Sequence, residues 1–142
     1  MLTTPKRIDR DVEELALHLG LDIKKAQWLS YKREKGFSAE SGNCTLNAMV
    51  KVKLSSGKVQ HGWIFWQDKT PNYNFTEAEF HTVWKSPGGQ LVDVTPRKDK
   101  ERELLFIPDF NREIRIVAHP SLPHPMVLGF KNATLNRDPA FM

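Results

Sequence analysis

Three side chains of this sequence, Cys44, His81 and Asp93, are of types that together can activate a nucleophile. A free thiol is only slightly ionised at neutral pH, and a neighbouring imidazole lowers its pKa and makes the sulfur reactive. A carboxylate that hydrogen-bonds one imidazole nitrogen fixes the tautomer and leaves the other nitrogen facing the thiol. These residues therefore predict a triad in the chain order cysteine, histidine, aspartate.

Cys44 lies where a polar loop meets a predicted helix. Residues 38–43, Ser-Ala-Glu-Ser-Gly-Asn, have the composition of a loop with helix-capping side chains, and a short helix is predicted from Cys44 to about Met49. The unpaired N–H groups and the positive dipole end at a helix N-terminus favour a thiolate. The position of Cys44 therefore agrees with a nucleophilic role.

His81 and Asp93 lie on two predicted strands joined by a strong turn signal, with strands at 79–85 and 90–94 and the turn Ser86-Pro87-Gly88-Gly89 between them. If the loop has an odd number of residues, Val83 faces Asp93. His81 then lies on the same face as Asp93, one diagonal step or about 7–8 Å away at the backbone. A two-residue loop would shift the register by one and separate the two side chains.

The same residues also fit a protein without catalysis. Most lone cysteines are buried as small hydrophobic residues, and a buried histidine needs a partner in any case. A metal site built from Cys44, His61, His81 and Asp93 lacks the short chelating spacing typical of such sites. A core thiol beside a structural His–Asp pair is the alternative to the triad, and the joint occurrence of the three residues favours the triad.

Three further residues are candidates for the oxyanion or substrate side of such a site. Asn43 and the backbone N–H of Cys44 are candidate oxyanion donors, although a helix cap is the simpler role for Asn43. Asn47 lies one turn after Cys44 and either packs against the site or is a structural amide. Trp84 is either a core residue on a sheet face or a wall of a substrate cleft. His61 is interpreted as a structural or half-exposed residue and not as a ligand.

Three segments carry a family resemblance: Gly42-Asn43-Cys44, Ala78-Glu79-Phe80-His81-Thr82-Val83-Trp84 and Gly88-Gly89-Gln90-Leu91-Val92-Asp93-Val94-Thr95-Pro96. Over about residues 40–96 the chain resembles the transglutaminase-like, papain-like superfamily of thiol enzymes. That resemblance implies a cysteine at the start of a helix, a histidine on one strand and an aspartate on the next. It implies a small, diverged member with a papain-like core.

The remaining pattern predicts helices first and an antiparallel sheet afterwards, which is an α+β fold with the N-terminal helices packed on the sheet. Apolar spacing predicts a helix over 6–20 and a second helix that starts at Asp22 and fades in the basic stretch 31–35. Alternating apolar residues predict a hairpin of strands 50–54 and 59–66. The other predictions are a loop at 67–76, a loop or short helix at 97–103, and short strands at 104–107 and 113–117.

A chain of 142 residues fits one compact domain. We expect residues 1–142 to form a single unit with three parts. Residues 1–37 are the helical N-terminal part, residues 38–118 contain the catalytic-like helix and the antiparallel sheet, and residues 119–142 form an extended, proline-containing tail wrapped on the domain.

Composition limits the compartment and the class of partner. The single cysteine excludes an intramolecular disulfide and a zinc site built from several cysteines. A lone thiol without an apolar signal region predicts the reducing cytoplasm. No apolar run approaches the roughly 20 residues of a membrane span, so no membrane partner is expected. No cofactor is expected either.

These observations predict a cysteine-dependent hydrolase or acyltransferase that acts on a peptide, a protein or a small amide through a thioester acyl-enzyme. The alternative is a non-catalytic binding module for nucleic acid or an acidic protein partner. Its support is the net charge of +4 and the Lys- and Arg-rich segment 24–35. A basic charge this small permits nucleic acid as a partner but does not favour it.

Overall fold

The computed structural model describes residues 2–32, 43–70, 74–96, 102–113, 115–117, 121, 126–128 and 130–136. Within these residues it contains two α-helices, a 3-10 helix over Ile23–Lys25 and eight β-strands. In chain order the elements are α1 (Arg10–His18), β1 (Gln27–Ser30), α2 (Cys44–Ser55), β2 (Lys58–Asp68), β3 (Phe75–Lys85), β4 (Leu91–Val92), β5 (Glu103–Pro108), β6 (Arg115–Val117), β7 (Met126–Leu128) and β8 (Ala133–Asn136).

Most of the strands form one six-stranded sheet. Its order is β1-β5-β2-β3-β4, and β8 also pairs with β3. Each of these strand pairs is antiparallel. Strands β6 and β7 form a separate antiparallel pair. The predicted mixed α+β class is therefore confirmed, with helices and an antiparallel sheet in one chain.

Helix α1 begins at Arg10, later than the predicted start at residue 6, because Asp9 caps it. The Oδ1 atom of Asp9 accepts a hydrogen bond from the backbone N–H of Val12 at 3.0 Å. Val12 and Leu15 are buried in the main core cluster. Gly20, with φ of +74°, follows the helix in the left-handed region that glycine adopts without strain.

The predicted second helix after Asp22 is wrong. Asp22 caps only the 3-10 helix, accepting from the backbone N–H of Lys24 at 3.0 Å, and the chain then enters β1. Leu29 of β1 is buried in a cluster with Leu104 of β5, its antiparallel partner strand. Burial against a strand thus outweighs weak helical spacing in this segment. Of the basic stretch 31–35, residues 33–35 lie outside the described part.

Helix α2 starts at Cys44 as predicted, but the strand predicted over 50–54 is wrong because the helix continues to Ser55. Ala48 and Val52 pack together beside Trp84 of β3. Residues four apart share a face in a helix, whereas a strand would bury every second residue. The predicted hairpin between 50–54 and 59–66 is therefore replaced by a helix packed on the sheet.

Strand β3 has two partners on one edge and a gap between them. On its other edge it pairs with β2 along its whole length. On the edge of β3 that faces away from β2, β8 pairs with residues 75–78 and β4 pairs with residues 84–85. No strand in the described part of the chain pairs with residues 79–83 there. This interval, which we call the edge gap, includes His81.

The turn after β3 sets the register of β4. The backbone N–H of Ser86 donates to the Gln90 carbonyl oxygen at 2.8 Å, and that of Gly89 donates to the Ser86 carbonyl oxygen at 2.9 Å. Lys85 therefore faces Leu91. This is the register predicted for a loop with an odd number of residues.

The core has a layer on each side of the sheet. Along β2, Trp63 and Phe65 are buried with the apolar side of α1, whereas Ile64 and Trp66 are buried in a second cluster on the opposite face. Helix α2 covers a third cluster around Trp84. Helices α1 and α2 therefore pack on the same sheet.

Part of the predicted tail 119–142 belongs to sheets. Strand β7 pairs with β6, and β8 adds to the edge of β3. The predicted boundaries between parts, at 37/38 and 118/119, lie outside the described residues, as does most of the predicted loop 97–103. The short strand predicted at 104–107 lies within β5, and 113–117 contains β6.

Gly62 generates a test of this packing. It lies opposite His81 in the β2–β3 pair. A Cβ at Gly62 would lie 2.4 Å from Cζ of Phe106 and 2.5 Å from the carbonyl oxygen of Ile107, both fully buried residues. We expect Gly62→Ala to lower the free energy of unfolding by about 1–3 kcal/mol, as overpacking typically does. Urea denaturation measures this loss.

Gly88→Ala is the matched control. The nearest atom to a Cβ at Gly88 is Oγ of Ser86 at 3.8 Å, an ordinary contact. We expect a change within about 0.5 kcal/mol for this surface position. Equal losses in the two variants would show that close packing around Gly62 is not the cause.

Candidate active site

Cys44 is the first residue of α2 and is half-buried. Asn43 holds the N-cap position, where its carbonyl oxygen accepts from the backbone N–H of Asn47 at 2.9 Å. The Asn43 side chain makes no capping hydrogen bond. The first N–H groups of a helix have no intrahelical acceptor, so the sulfur lies at the positive end of the helix dipole.

His81 and Asp93 form a buried pair. The Nε2 atom of His81 lies 3.1 Å from Oδ1 of Asp93. The two residues are 5% and 0% exposed, so water contributes little to either group. The β3–β4 register brings the two side chains together. A buried pair of this kind persists only when both members are hydrogen-bonded.

The second ring nitrogen of His81 faces Cys44. The two side chains share a hydrogen bond. Because Nε2 is bonded to Asp93, the nitrogen that bonds the sulfur is Nδ1. Thiol, imidazole and carboxylate are thus connected in series, with the thiol as the most exposed member.

Two more donors reach the sulfur at the edge gap. The backbone N–H of Thr82 and the hydroxyl of Thr45 both hydrogen-bond Cys44. The two hydroxyl oxygens, Oγ1 of Thr45 and Oγ1 of Thr82, lie 3.0 Å apart. In the edge gap, the Cys44 sulfur therefore accepts the hydrogen bond of the Thr82 backbone N–H. In a continuous sheet, a carbonyl oxygen of a neighbouring strand would be the acceptor.

These contacts shift the titration of the thiol and the imidazole in opposite directions. Burial raises the pKa of Cys44, but the hydrogen bond and charge of His81, with the donors on Thr82 and Thr45, outweigh it and lower that pKa below its ordinary value. Burial also lowers the pKa of His81, but Asp93 and Cys44 outweigh it and raise the pKa to about 10. Between the lowered pKa of Cys44 and about pH 10 the pair is therefore a thiolate and an imidazolium.

Asp93 is anchored from two directions. The carbonyl oxygen of Asp93 accepts a hydrogen bond from the backbone N–H of Lys32 at 3.0 Å. Residues Tyr31 and Asp93 form an isolated parallel β-bridge. The Oδ1 atom of Asp93 also accepts from the backbone N–H of Thr95 at 3.2 Å. The Oδ2 atom is buried and has no hydrogen-bond partner among the described residues. The position of Asp93 is thus fixed by two segments, the residues that follow β1 and strand β4.

The remaining sequence candidates take supporting positions. Asn47 is buried, and its Nδ2 donates to Oγ1 of Thr95 at 3.1 Å, which links α2 to the segment after Asp93. Trp84 is 8% exposed, and its Nε1 donates to the Ser56 carbonyl oxygen at 2.8 Å, beyond the last residue of α2. Trp84 therefore packs in the core under α2.

Sequence reasoning missed Thr45, Thr82, Tyr31 and Lys32. Thr45 and Thr82 directly follow the candidate nucleophile and the candidate base in the sequence, and this adjacency is the one signal that points to them. Tyr31 and Lys32 lie in the stretch where the predicted second helix fades, so nothing in the sequence placed them beside Asp93. Only the strand pairing of the fold reveals their role.

In the described ranges no three His, Cys, Asp or Glu side chains are grouped so that they could hold a metal ion. Among the same residues, no helix has both the length and the apolar character needed to cross a membrane. No protein-family model matches the sequence, and comparisons with curated proteins and with solved structures give no match. The chemistry of the site therefore has to be derived from its own geometry.

The opposed pKa shifts predict an unusual pH profile for alkylation of Cys44 by iodoacetamide. The thiolate forms at lower pH than usual, so the rate should reach its plateau with a midpoint below 9.0, the ordinary thiol value. The imidazolium persists until about pH 10. Below that pH, anionic iodoacetate should react faster relative to iodoacetamide, and this advantage should fall as the pH rises through 10.

His81→Asn is the matched variant for this measurement, because it removes the cation and keeps a polar side chain. Burial then dominates, and the midpoint should rise above that of the wild type. Cys44 is the only cysteine, so the modified mass reports this site alone. A wild-type midpoint equal to that of His81→Asn would mean that no ion pair exists.

Proposed function

We propose that the protein is a cysteine-dependent hydrolase or acyltransferase acting on an amide or a related acyl group. The observation that carries the proposal is the series of hydrogen bonds Cys44–His81–Asp93, with the sulfur at the start of a helix. A thiolate beside an imidazolium is a nucleophile with its proton donor already in position. A purely structural His–Asp pair needs no partly exposed thiol at its other nitrogen.

The reaction divides among the three side chains. The Cys44 thiolate attacks the carbonyl carbon, and the π electrons move to the oxygen. His81 then gives its Nδ1 proton to the leaving nitrogen as the C–N bond breaks, which leaves a thioester on Cys44. Water or an amine attacks the thioester and loses its proton to His81, and the thiolate leaves. Asp93 orients the ring and stabilises its positive charge.

The oxyanion formed in the first step needs donors close to the sulfur. The backbone N–H of Cys44 is at the first helical position, where no intrahelical acceptor is available. We propose this N–H as one donor. The Asn43 side chain precedes it and is exposed, so it is proposed as the second donor.

The arrangement of elements supports a papain-like or transglutaminase-like core within the α+β fold. A helix carries the cysteine at its N-terminus and packs on the sheet. The adjacent strand carries the histidine, and the aspartate follows the next strand after one tight turn. We propose that residues 40–96 are the catalytic unit of such a core. Outside this unit, helix α1 packs on the sheet, and strands β5 and β8 add to the sheet.

Acylation by p-nitrophenyl acetate tests the proposal without knowledge of the natural substrate. We expect the wild-type protein to release p-nitrophenol in a burst and to carry one acetyl group on Cys44 by intact-protein mass spectrometry. His81→Asn should lower the acylation rate by about 10²–10⁴, the usual contribution of a positioned acid or base. Asp93→Asn should give a smaller reduction, because the imidazole remains but its charge is less stabilised.

The control is the same thiol outside the folded site, which is the wild-type protein in denaturing urea at equal pH. Circular dichroism verifies that each variant is folded. Acylation of the folded protein no faster than that of the unfolded chain would overturn the proposal. Equal rates in the wild type and in His81→Asn would also overturn it.

A further inference from the structure

We propose that His61 is a positioning residue for Cys44, which keeps the hydroxyl groups of Thr82 and Thr45 oriented so that the Thr45 hydroxyl donates to the sulfur. The inference rests on the proposed function, since it deepens the account of the nucleophile. His61 is on β2, Thr82 on β3 and Thr45 on α2, so three elements meet in this contact.

The contacts form an unbroken series. The Nδ1 atom of His61 lies 3.0 Å from Oγ1 of Thr82, which lies 3.0 Å from Oγ1 of Thr45. The Thr45 hydroxyl in turn hydrogen-bonds Cys44. Thr82 is 0% and Thr45 is 6% exposed, so water does not replace either hydroxyl. His61 faces Thr82 directly across the β2–β3 pair.

Hydrogen counting fixes the direction of this series. A thiolate only accepts, so the single hydroxyl hydrogen of Thr45 is used for the sulfur. The Thr45 oxygen must then accept from Thr82, whose one hydrogen is used in turn. The Thr82 oxygen must therefore accept from His61, which requires the hydrogen on Nδ1. All three donors then point toward Cys44.

The opposite tautomer would reverse the series. With its hydrogen on Nε2, His61 would accept at Nδ1 and draw the Thr82 hydrogen to itself. The Thr45 hydroxyl would then turn toward the Thr82 oxygen and away from the sulfur. Burial lowers the pKa of His61, against the raising effect of Asp109 and Glu113, so the ring is neutral at neutral pH and its tautomer matters.

The ring of His61 is held by packing as well. It stacks on the ring of Phe80, with centroids 5.8 Å apart and an interplanar angle of 28°. Its carbonyl oxygen accepts from the backbone N–H of Asp109 at 2.9 Å. Because stacking restricts the ring and a hydrogen bond restricts the backbone of His61, the side chain is held in one rotamer with Nδ1 directed at Thr82.

The hydrogen bonds from His61 through Thr82 and Thr45 stabilise the Cys44 thiolate more than its thioester. A thioester sulfur carries no charge and is a poor acceptor, whereas the thiolate accepts a charge-assisted bond. When water attacks the thioester, the C–S bond breaks and the sulfur takes the electron pair. The Thr45 hydrogen is then already directed at the developing charge. His61 thus acts on Cys44 without touching the substrate.

The test compares His61→Leu with His61→Asn. The Asn amide N–H group lies near the place of Nδ1–H and can still donate to Thr82, whereas Leu cannot. We expect His61→Leu to raise the pKa of Cys44 by about 0.5 unit. The shift is small because a donor two hydrogen bonds away strengthens the Thr45–sulfur bond by only a fraction of that bond's energy. Thr45→Val should raise it by about one unit. His61→Asn should stay near the wild type. The midpoint of iodoacetamide alkylation against pH gives each value.

A merely structural His61 predicts a different result, because Leu and Asn would then lower the melting temperature without separating in the pKa of Cys44. Equal midpoints for the two variants would overturn the proposal. Nitrogen-15 NMR of the wild-type ring adds a test that needs no variant. We expect the hydrogen on Nδ1, and an Nε2–H tautomer would overturn the proposal.

These outcomes are separate from those of the proposed function. The alkylation midpoint and the tautomer are measured even if Cys44 proves inert toward p-nitrophenyl acetate. Inert Cys44 with a shifted midpoint in His61→Leu would remove the enzymatic function and leave the positioning contact. Reactive Cys44 with an unchanged midpoint in both His61 variants would remove the contact and leave the enzyme.

Discussion

The hydrogen bond between His81 and Asp93 is the interaction on which the site depends. It holds a cation that is almost fully buried, and a buried charge without a partner is strongly destabilising. The bond exists because the turn after β3 pairs Lys85 with Leu91. A register slip of one residue would move Asp93 to the other face of the sheet and leave the imidazolium unpaired. A short turn thus contributes both to a stable fold and to the buried positive charge of His81.

The Cys44 side of the site poses a second electrostatic problem. One buried imidazolium lies between two negative groups, the carboxylate and the thiolate, so the thiolate needs stabilisation beyond that cation. The edge gap of β3 supplies it, because the Thr82 backbone N–H donates to the sulfur there, together with the Thr45 hydroxyl. An uninterrupted edge strand would satisfy β3 and exclude the sulfur. The shortness of β4 is therefore part of the chemistry.

The chain near the site could be predicted where its structure is set locally. The start of α2 at Cys44 is predicted from the polar composition of residues 38–43, although the Asn43 side chain makes no capping hydrogen bond, and the β3–β4 register is predicted from a Gly-rich turn. These two features were enough to bring Cys44, His81 and Asp93 into one hypothesis. The edge gap could not be predicted, because it depends on where β8 joins β3 from a remote part of the chain. The same holds for β1, whose extended form is stabilised by pairing with β5.

The error over 50–54 has a physical reason that bears on function. Helix α2 leaves a set of apolar side chains exposed, namely Leu46, Met49, Val50 and Leu54, while Lys51 is 7% exposed with its Nζ 4.8 Å from the centroid of the Trp84 ring. An ordinary amphipathic helix would turn those apolar residues inward.

The rotation of α2 about its axis is instead set by polar contacts at its start. Thr45 bonds Thr82, Asn47 bonds Thr95, and Cys44 bonds His81. Each residue turns a helix by about 100°, so a rotation that buried Val50 would carry the sulfur away from the imidazole. The hydrophobic pattern of α2 is therefore misleading because the helix is oriented by its chemistry, and local rules of burial are broken where a site requires it.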